Sequence, residues 1–320
     1  MIKNKNILIT GGAGFIGFYL AKNLLDNNKV VILDNLSKSR IIDRQFKNLL
    51  KSKNVKFVKK NVEKIKPNNF PNNFHYIFDC AAVVGVNKVI KKSLHTLKNN
   101  IQSTSNIIQI GKRQKKLQKI IFCSSSEVYD GGGKFYKAKY PSVENSPITL
   151  NNLFEKRTVY MASKIFGEIM YINSGLPFMI NRFHNIYGPR MGYKHVIPEL
   201  IKKLHSSKKK ITVFSPNHSR TFCYYKDAIK IILKLAESKY KNKIFNVGVQ
   251  KPEIKIKKLT KTILKILNIK RKIIFKPDTH NSPKRRCPNM KLTNKIVGKI
   301  KYTNIEEGIK QTFNYLKKNK

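Results

Sequence analysis

Tyr160 and Lys164 stand four residues apart in the segment Tyr-Met-Ala-Ser-Lys. On a helix, positions i and i+4 share one face, so the ammonium would lie near the phenol. A nearby cation lowers a phenol pKa from its usual value of about 10. A phenol tuned in this way serves as a general base toward an alcohol near neutral pH. The spacing alone is common by chance, and its weight comes from a second segment. Phe122-Cys123-Ser124-Ser125-Ser126-Glu127-Val128-Tyr129 puts three hydroxyls and an acid directly after an apolar run. The carboxyl end of a parallel strand is where open α/β sheets bind ligands.

A third segment points to a phosphate-bearing ligand. Thr10-Gly11-Gly12-Ala13-Gly14-Phe15-Ile16-Gly17 has glycines at the G-x-x-G-x-x-G spacing, between an apolar run and a helical pattern. The glycines serve three steric needs, namely a tight turn, a close backbone approach to a pyrophosphate, and close helix–strand packing. The helix that follows presents unpaired N–H groups to the phosphates. Asp34 ends the next apolar run, 20 residues beyond Gly14. That is the position of a carboxylate that binds the adenosine ribose hydroxyls. It would repel a 2′-phosphate, and no Arg follows it directly, so NAD is favoured over NADP as cofactor.

The elements that must hold these residues alternate along the chain. Ile7–Ile9, Val30–Leu33, Val55–Val58, Tyr76–Phe78 and Ile120–Phe122 read as buried strands, followed by Phe178–Ile180 and Ile244–Val247. Helical spacing falls on Phe15–Leu25 and Leu94–Ile110, then on Ile256–Leu267 and Ile305–Leu316. Strands alternating with helices imply βαβ units and a parallel sheet covered on both faces. The stretch from Asp130 to Arg157 has few periodic apolar residues and reads as a long, functional loop.

Length and composition narrow the class. A chain of 320 residues makes one large domain or two ordinary ones, and 41% hydrophobic residues support a sizeable core. The formal net charge of +49 suggests nucleic-acid binding at first sight. However, 56 of the 66 cations are Lys, spread along the whole chain, and only 10 are Arg, the better reader of phosphate and guanine. The charge is therefore read as solvated background, with no nucleic-acid partner. Cys80, Cys123, Cys223 and Cys287 form no C-x-x-C pair, so neither a disulfide framework nor a metal site is expected. No apolar stretch is long enough to span a membrane. The amino terminus has no signal-peptide pattern, and a cytoplasmic protein is expected.

Taken together, the motifs resemble those of the extended short-chain dehydrogenases/reductases that act on nucleotide sugars: epimerases, dehydratases and decarboxylases. TGGAGFIG at 10–17, LDN at 33–35, AA at 81–82, SSSEVY at 124–129 and YMASK at 160–164 carry the likeness. So do RFHNIYGPRMGYKHVIPEL at 182–200, SRTFCYYKDA at 219–228, FNVG at 245–248 and KRRCPN at 284–289. The resemblance implies an α/β fold: a Rossmann-type, doubly wound parallel sheet with a smaller C-terminal α/β substrate domain. The NAD domain is expected at 1–182 and 220–249, and the nucleotide-sugar domain at 183–219 and 250–320.

It further implies Tyr160 as base, Lys164 as its partner and a contact to the nicotinamide ribose, and Ser125 as the hydrogen-bond partner of the oxidised sugar oxygen. Ser126 and Glu127 complete the catalytic segment. Gly11, Gly14, Phe15, Ile16, Gly17, Asp34 and Asn35 would surround the cofactor, with Asn61, Val62, Ala81, Ala82 and Asn100. Asn61 stands where relatives usually have an Asp against adenine. Asn185, Val196, Arg220, Arg285 and Arg286 would hold the nucleotide diphosphate sugar, and a homodimer is expected. Relatives begin alike, by oxidising a sugar hydroxyl, usually at C4, with NAD. A 4-epimerase then returns the hydride to the other face. A 4,6-dehydratase typically needs Asp-Glu after the Ser/Thr, where this chain has Ser126-Glu127; a uronate decarboxylase has Ser-Glu there. The resemblance favours 4-epimerase and leaves decarboxylase, dehydratase and keto-sugar reductase open, with a non-enzymatic nucleic-acid binder as the competitor from another class.

Overall fold

The computed structural model describes the chain except residues 38–42, 132–138, 151, 194, 207–209, 278–282 and 319–320. In chain order the first half carries β1 (Asn6–Thr10), α1 (Phe15–Leu24), β2 (Lys29–Asp34), α2 (Arg44–Leu50), β3 (Val55–Lys59), β4 (Tyr76–Asp79), α3 (Val86–Lys91), α4 (Ser93–Lys112), β5 (Lys119–Ser125), α5 (Thr158–Ile172) and β6 (Phe178–Phe183). The second half carries β7 (Ile186–Tyr187), α6 (Val196–Leu204), β8 (Lys210–Phe214), β9 (Ser219–Arg220), β10 (Cys223–Tyr224), α7 (Tyr225–Glu237), β11 (Lys243–Val247), β12 (Ile254–Lys255), α8 (Ile256–Leu267), β13 (Lys272–Lys276), β14 (Arg285–Arg286), α9 (Lys291–Val297) and α10 (Ile305–Lys318).

Seven strands form one parallel sheet in the order β11-β6-β5-β4-β1-β2-β3. All seven expected strands are present in it. The apolar runs explain the arrangement: every residue of β4, and nearly every residue of β1 and β5, is buried, as strands covered on both faces require. The order reverses direction between β1 and β4, which makes their carboxyl ends the switch point of a doubly wound sheet. Leu8, Ile77, Ile107, Ile120, Phe122 and Ile180 belong to the core cluster that spans this sheet and its helices.

The chain divides into two compact units, though not at the expected boundaries. The first is Met1–Lys137, Ile148–Arg182 and Ile229–Phe245; the second is Ala138–Pro147, Phe183–Ala228 and Asn246–Lys320. Residues 220–228 and 246–249, expected in the NAD domain, thus fall in the second unit. The reason is pairing: β9 joins β12 and β14 in a three-stranded sheet. The segment before Pro147 belongs there too, because the Ser142 N–H donates to the Cys287 carbonyl at 2.8 Å. The Asn246 side chain donates to the carbonyls of Ser142 and Asn289 as well. Packing of α6, α8 and α10 around Leu200, Leu204, Leu259, Ile263 and Ile309 gives this unit its own core.

The described residues between Asp130 and Arg157 contain no helix or strand, only an isolated bridge from Ser142 to Pro288. Among the described lysines only Lys119 and Lys164 are buried, so the charge of the other described lysines is not in the core. The Lys119 ammonium donates to the carbonyls of Leu235, Ala236 and Ser238, closing the end of α7.

Candidate active site

The loop from β1 to α1 is shaped for a pyrophosphate. Gly11 has φ +65°, a conformation that favours glycine, and a Cβ there would press on the backbone of Cys80 and Ala81 at 3.0 Å. A Cβ at Gly17 would overlap the Gly11 carbonyl. The loop is fastened at both sides. The Thr10 hydroxyl accepts the N–H groups of Cys80 and Ala81 at 3.0 Å each and donates to Asp79 at 2.8 Å. Asp34, at the end of β2, accepts the N–H of Ala13 at 3.1 Å and of Leu36 at 2.7 Å. A carboxylate is therefore held at the edge of the glycine turn, as a ribose contact requires. Phe15 and Ile16 open α1 and are half-buried.

The other expected cofactor residues line the neighbouring strand ends. The Asn35 side chain caps the N–H of Ser37 at 2.9 Å. Asn61 precedes the short turn Val62–Lys64, and the Val62 carbonyl accepts from Asn106 on α4. Ala81 and Ala82 follow β4 and are half-buried. Asn100, on α4, accepts the Val83 N–H at 2.8 Å and donates to the Ser163 hydroxyl at 3.0 Å. It thus ties the strand end carrying Ala81 and Ala82 to the helix carrying Tyr160 and Lys164.

That helix is α5. Tyr160 lies in its first turn, half-buried, and Lys164 one turn on, fully inside. The Lys164 ammonium donates to the Cys123 carbonyl at 2.7 Å and rests 4.6 Å from the centroid of the Phe122 ring. It is therefore pinned to β5 two residues before Ser125. Burial pulls its pKa below the ordinary lysine value, while Asp79 and other anionic neighbours push it back up. Ser125 ends β5, and its hydroxyl accepts the Glu127 N–H at 3.2 Å, starting the tight turn Ser126–Tyr129. Ser126 is buried, and Glu127 lies 3.8 Å from the guanidinium of Arg157, the residue that precedes α5.

Sequence reasoning missed the buried support beneath this segment. The Arg182 guanidinium donates to both carboxylate oxygens of Glu168, at 3.0 and 2.6 Å, and to the Tyr129 hydroxyl at 2.9 Å. The Ser124 hydroxyl donates to the same carboxylate at 2.5 Å. Glu168 stands four residues after Lys164, so the helical period that joined Tyr160 to Lys164 would also have found it. Arg182 has no such local signal, because only the fold brings β6 against α5.

The expected substrate residues lie in the second unit. Asn185 has φ +43°, and its Nδ2 is buried without a hydrogen-bond partner, a donor left for a ligand. Val196 opens α6 and is partly exposed. Arg220 is 7% exposed and donates to the carbonyls of Ser219 at 2.7 Å and Pro283 at 2.5 Å. Arg286 is its register neighbour in β14, so two guanidinium-bearing residues stand side by side on adjacent strands. Arg285 departs from expectation. It pairs with Ser219 in the register and holds Glu253 through both carboxylate oxygens, at 2.8 to 3.0 Å. Its charge is already neutralised there, and strand alternation separates it from Arg220. No cluster of three metal-ligating side chains occurs among the described residues, and all four cysteines are free thiols.

Comparison with known proteins agrees with this geometry. The model of the NAD dependent epimerase/dehydratase family matches residues 7–248. A UDP-N-acetyl-alpha-D-glucosaminuronate decarboxylase of Bacillus cytotoxicus is 28% identical, over 98% of both chains. A putative UDP-glucose 4-epimerase of Methanocaldococcus jannaschii is 30% identical, over 98% of this chain and 99% of the relative. Among solved structures, the UDP-N-acetylglucosamine 4-epimerase of Methanobrevibacter ruminantium, in complex with UDP-N-acetylmuramic acid, superposes with a TM-score of 0.85 at 25% identity, covering all of both chains.

Proposed function

Because this chain belongs to the NAD dependent epimerase/dehydratase family, and is therefore an enzyme that works with NAD, we propose that it is a nucleotide-sugar 4-epimerase acting through a transient 4-keto sugar. The observation that carries the reading is Lys164, a buried ammonium one helical turn after Tyr160 and pinned to β5 beside Ser125. Tyr160 takes the proton of the sugar hydroxyl as phenolate and gives it back after the ketone has turned over. Ser125 uses its hydroxyl hydrogen to orient the sugar oxygen, since its oxygen already accepts the Glu127 N–H. NAD, when bound, supplies a hydride acceptor at the sugar carbon and returns the same hydride. Asn185, Arg220 and Arg286 hold the diphosphate. The enzyme acts in the cytoplasm and takes no nucleic acid; a positive surface draws an anionic substrate by long-range attraction.

A second reading is decarboxylation of a nucleotide-linked uronate. It is favoured by Ser126-Glu127, with Glu127 beside Arg157, and by the name of the Bacillus relative. Incubation with UDP-glucose, UDP-GlcNAc, UDP-glucuronate, dTDP-glucose and GDP-mannose, followed by mass and NMR analysis, separates the readings. A product of unchanged mass supports epimerase; loss of carbon dioxide supports decarboxylase, and loss of water a dehydratase.

The diphosphate assignment separates neighbouring arginines. Arg220→Ala is expected to weaken nucleotide-sugar binding by roughly 1.5–3 kcal/mol, the scale of a hydrogen bond to a charged group. Arg285→Ala, which removes the pair with Glu253 and the contact with the Tyr140 ring, is expected to change it by less than about 1 kcal/mol. Calorimetric titration measures both, and equal affinities for wild type and Arg220→Ala would make Arg220 structural.

We also propose a homodimer, and the outer face of α5 supports it. Phe166, Ile169 and Ile172 recur along one side of that helix, each 46–48% exposed, and Leu94 on α4 is more exposed still. A contiguous apolar face on a soluble helix marks an interaction surface. Ultracentrifugation is expected to give a dimer for wild type and a monomer for Phe166→Glu/Ile169→Glu. A wild-type monomer would remove the dimer from the reading.

A further inference from the structure

Asp79 is the last residue of β4 and only 2% exposed. One of its carboxylate oxygens accepts the Thr10 hydroxyl and the other the Tyr171 hydroxyl, each at 2.8 Å. Thr10 already accepts two backbone N–H groups, so its own hydrogen must go to Asp79. Tyr171 is a committed donor as well, since burial and the Asp79 charge push its phenol well above the ordinary value. Burial pushes the Asp79 carboxyl above the ordinary value, while the hydrogen bonds from Tyr171 and Thr10 and the Lys164 charge pull it back down; two donors on two oxygens are the pattern of an ionised carboxylate. Neither donor carries charge, however, and a buried charge needs a compensating one.

The compensating charge stands around the Phe122 ring. Phe122 is the register partner of Asp79 across β4 and β5. The Lys164 ammonium sits over the Phe122 ring, and the Tyr171 ring packs 5.0 Å from it. The titratable groups that act on Lys164 are Asp79 and Cys80 from the end of β4, Cys123 from β5, and Glu168 from its own helix. Glu168 is engaged by the Arg182 guanidinium. The Cys80 thiol, 3.2 Å from the Cys123 sulfur, is pushed up by that contact and by burial, and stays neutral. Among these groups Asp79 is the anion not already held by a guanidinium.

We propose that Asp79, fixed by Thr10 and Tyr171, is the buried counter-ion of Lys164: a positioning residue that keeps the ammonium charged beside the Tyr160 phenol. The link to the phenol rests on the reading given under Proposed function; the pairing of the two charges does not. It also explains why one side chain, Thr10, serves both the glycine loop and Asp79. The hydrogen-bonded chain from Tyr171 on α5 through Asp79 on β4 to Thr10 on β1 thus ends at the cofactor turn.

A double-mutant cycle on the full chain tests the pairing without any substrate. Asp79→Asn keeps the shape and removes the charge, and Lys164→Met removes the ammonium. Either substitution alone leaves one buried charge uncompensated, and the two together leave none. In urea unfolding, the double variant is expected to be at least tenfold more stable, as a folding equilibrium constant, than the product of the single effects. Additive effects would overturn the proposal. If Asp79→Asn does not fold, recovery of folding in Asp79→Asn/Lys164→Met supports the pairing, and its absence overturns it.

The pH dependence of turnover then tests the consequence. An anion favours the charged form of Lys164, so removing it lets the proton leave at lower pH. The alkaline limb of Asp79→Asn is expected to move down by about one pH unit. Tyr171→Phe, which keeps the carboxylate, is expected to leave that limb in place. An unmoved limb in an active Asp79→Asn overturns the proposal. A wild type that turns over no nucleotide sugar fails the functional reading instead, and the unfolding cycle still decides the pairing.

Discussion

Tyr160→Phe is expected to lower turnover by about a hundredfold to ten thousandfold, the range of general acid–base catalysis, while NAD binding stays close to wild type. The two quantities separate for physical reasons. The substitution removes one oxygen and leaves the ring that packs in the first turn of α5. Lys164 keeps its position, because its ammonium donates to the Cys123 carbonyl. The glycine loop is fastened by Thr10 and Asp34, on other strands. Only the group that removes the proton is lost. A change confined to kcat, with KM and cofactor content preserved, is therefore the signature of the base. Ser125→Ala should lower turnover less, since it removes an orienting hydrogen bond and leaves the base. Near-normal turnover in Tyr160→Phe would refute the assignment and turn attention to Glu127, the remaining ionisable group of the catalytic segment. The comparison is best made with the substrate identified by the product assay, at a pH where wild type is fully active.

The parts of this site that rest on local spacing could be read from the sequence. Tyr160 and Lys164 share a helical face, Gly11, Gly14 and Gly17 share one turn, and the apolar runs marked all seven strands of the sheet. The amphipathic pattern of α7 could have been read in the same way, with Ile229, Ile231, Ile232 and Leu235 buried along one side. What could not be read depends on contacts distant in sequence. Asp79 meets Tyr171 across 92 residues, and nothing near either of them announces the other. The two-residue strands β9, β12 and β14 are too short for any period to show. Their register alone reveals that Arg286, rather than Arg285, neighbours Arg220. The division of the chain followed the same rule. Ser142 and Asn246 assign the segment before Pro147 to the second unit through a hydrogen bond that spans 104 residues.

Glu168→Gln is expected to destabilise the first unit by about 3–5 kcal/mol, the cost of removing one partner of a buried ion pair. Both partners are almost wholly inside, with side chains 2% and 4% exposed. The guanidinium of Arg182 would keep its charge and lose its carboxylate partner, and the one amide oxygen left to accept from Ser124 and Arg182 would carry no charge. A surface pair of the same length provides the control. Lys203 and Glu199 also meet at 2.6 Å, one turn apart on α6, but their side chains are 39% and 46% exposed. Water and salt screen that pair, so Glu199→Gln is expected to cost only about 0.5 kcal/mol. The contrast attributes the effect to burial and not to distance. Urea midpoints measured on both variants decide it, and equal midpoints would show that the Glu168–Arg182 pair does not support this unit. Activity adds a second dimension. Glu168→Leu/Arg182→Met removes both charges of this pair and is expected to recover much of the lost stability. It does not restore the acceptor for Ser124 or the donor to Tyr129, the two ends of the turn that carries Ser125, Ser126 and Glu127. A stable double variant with reduced turnover would therefore assign the pair to holding that turn, whereas full activity would make it a purely structural contact.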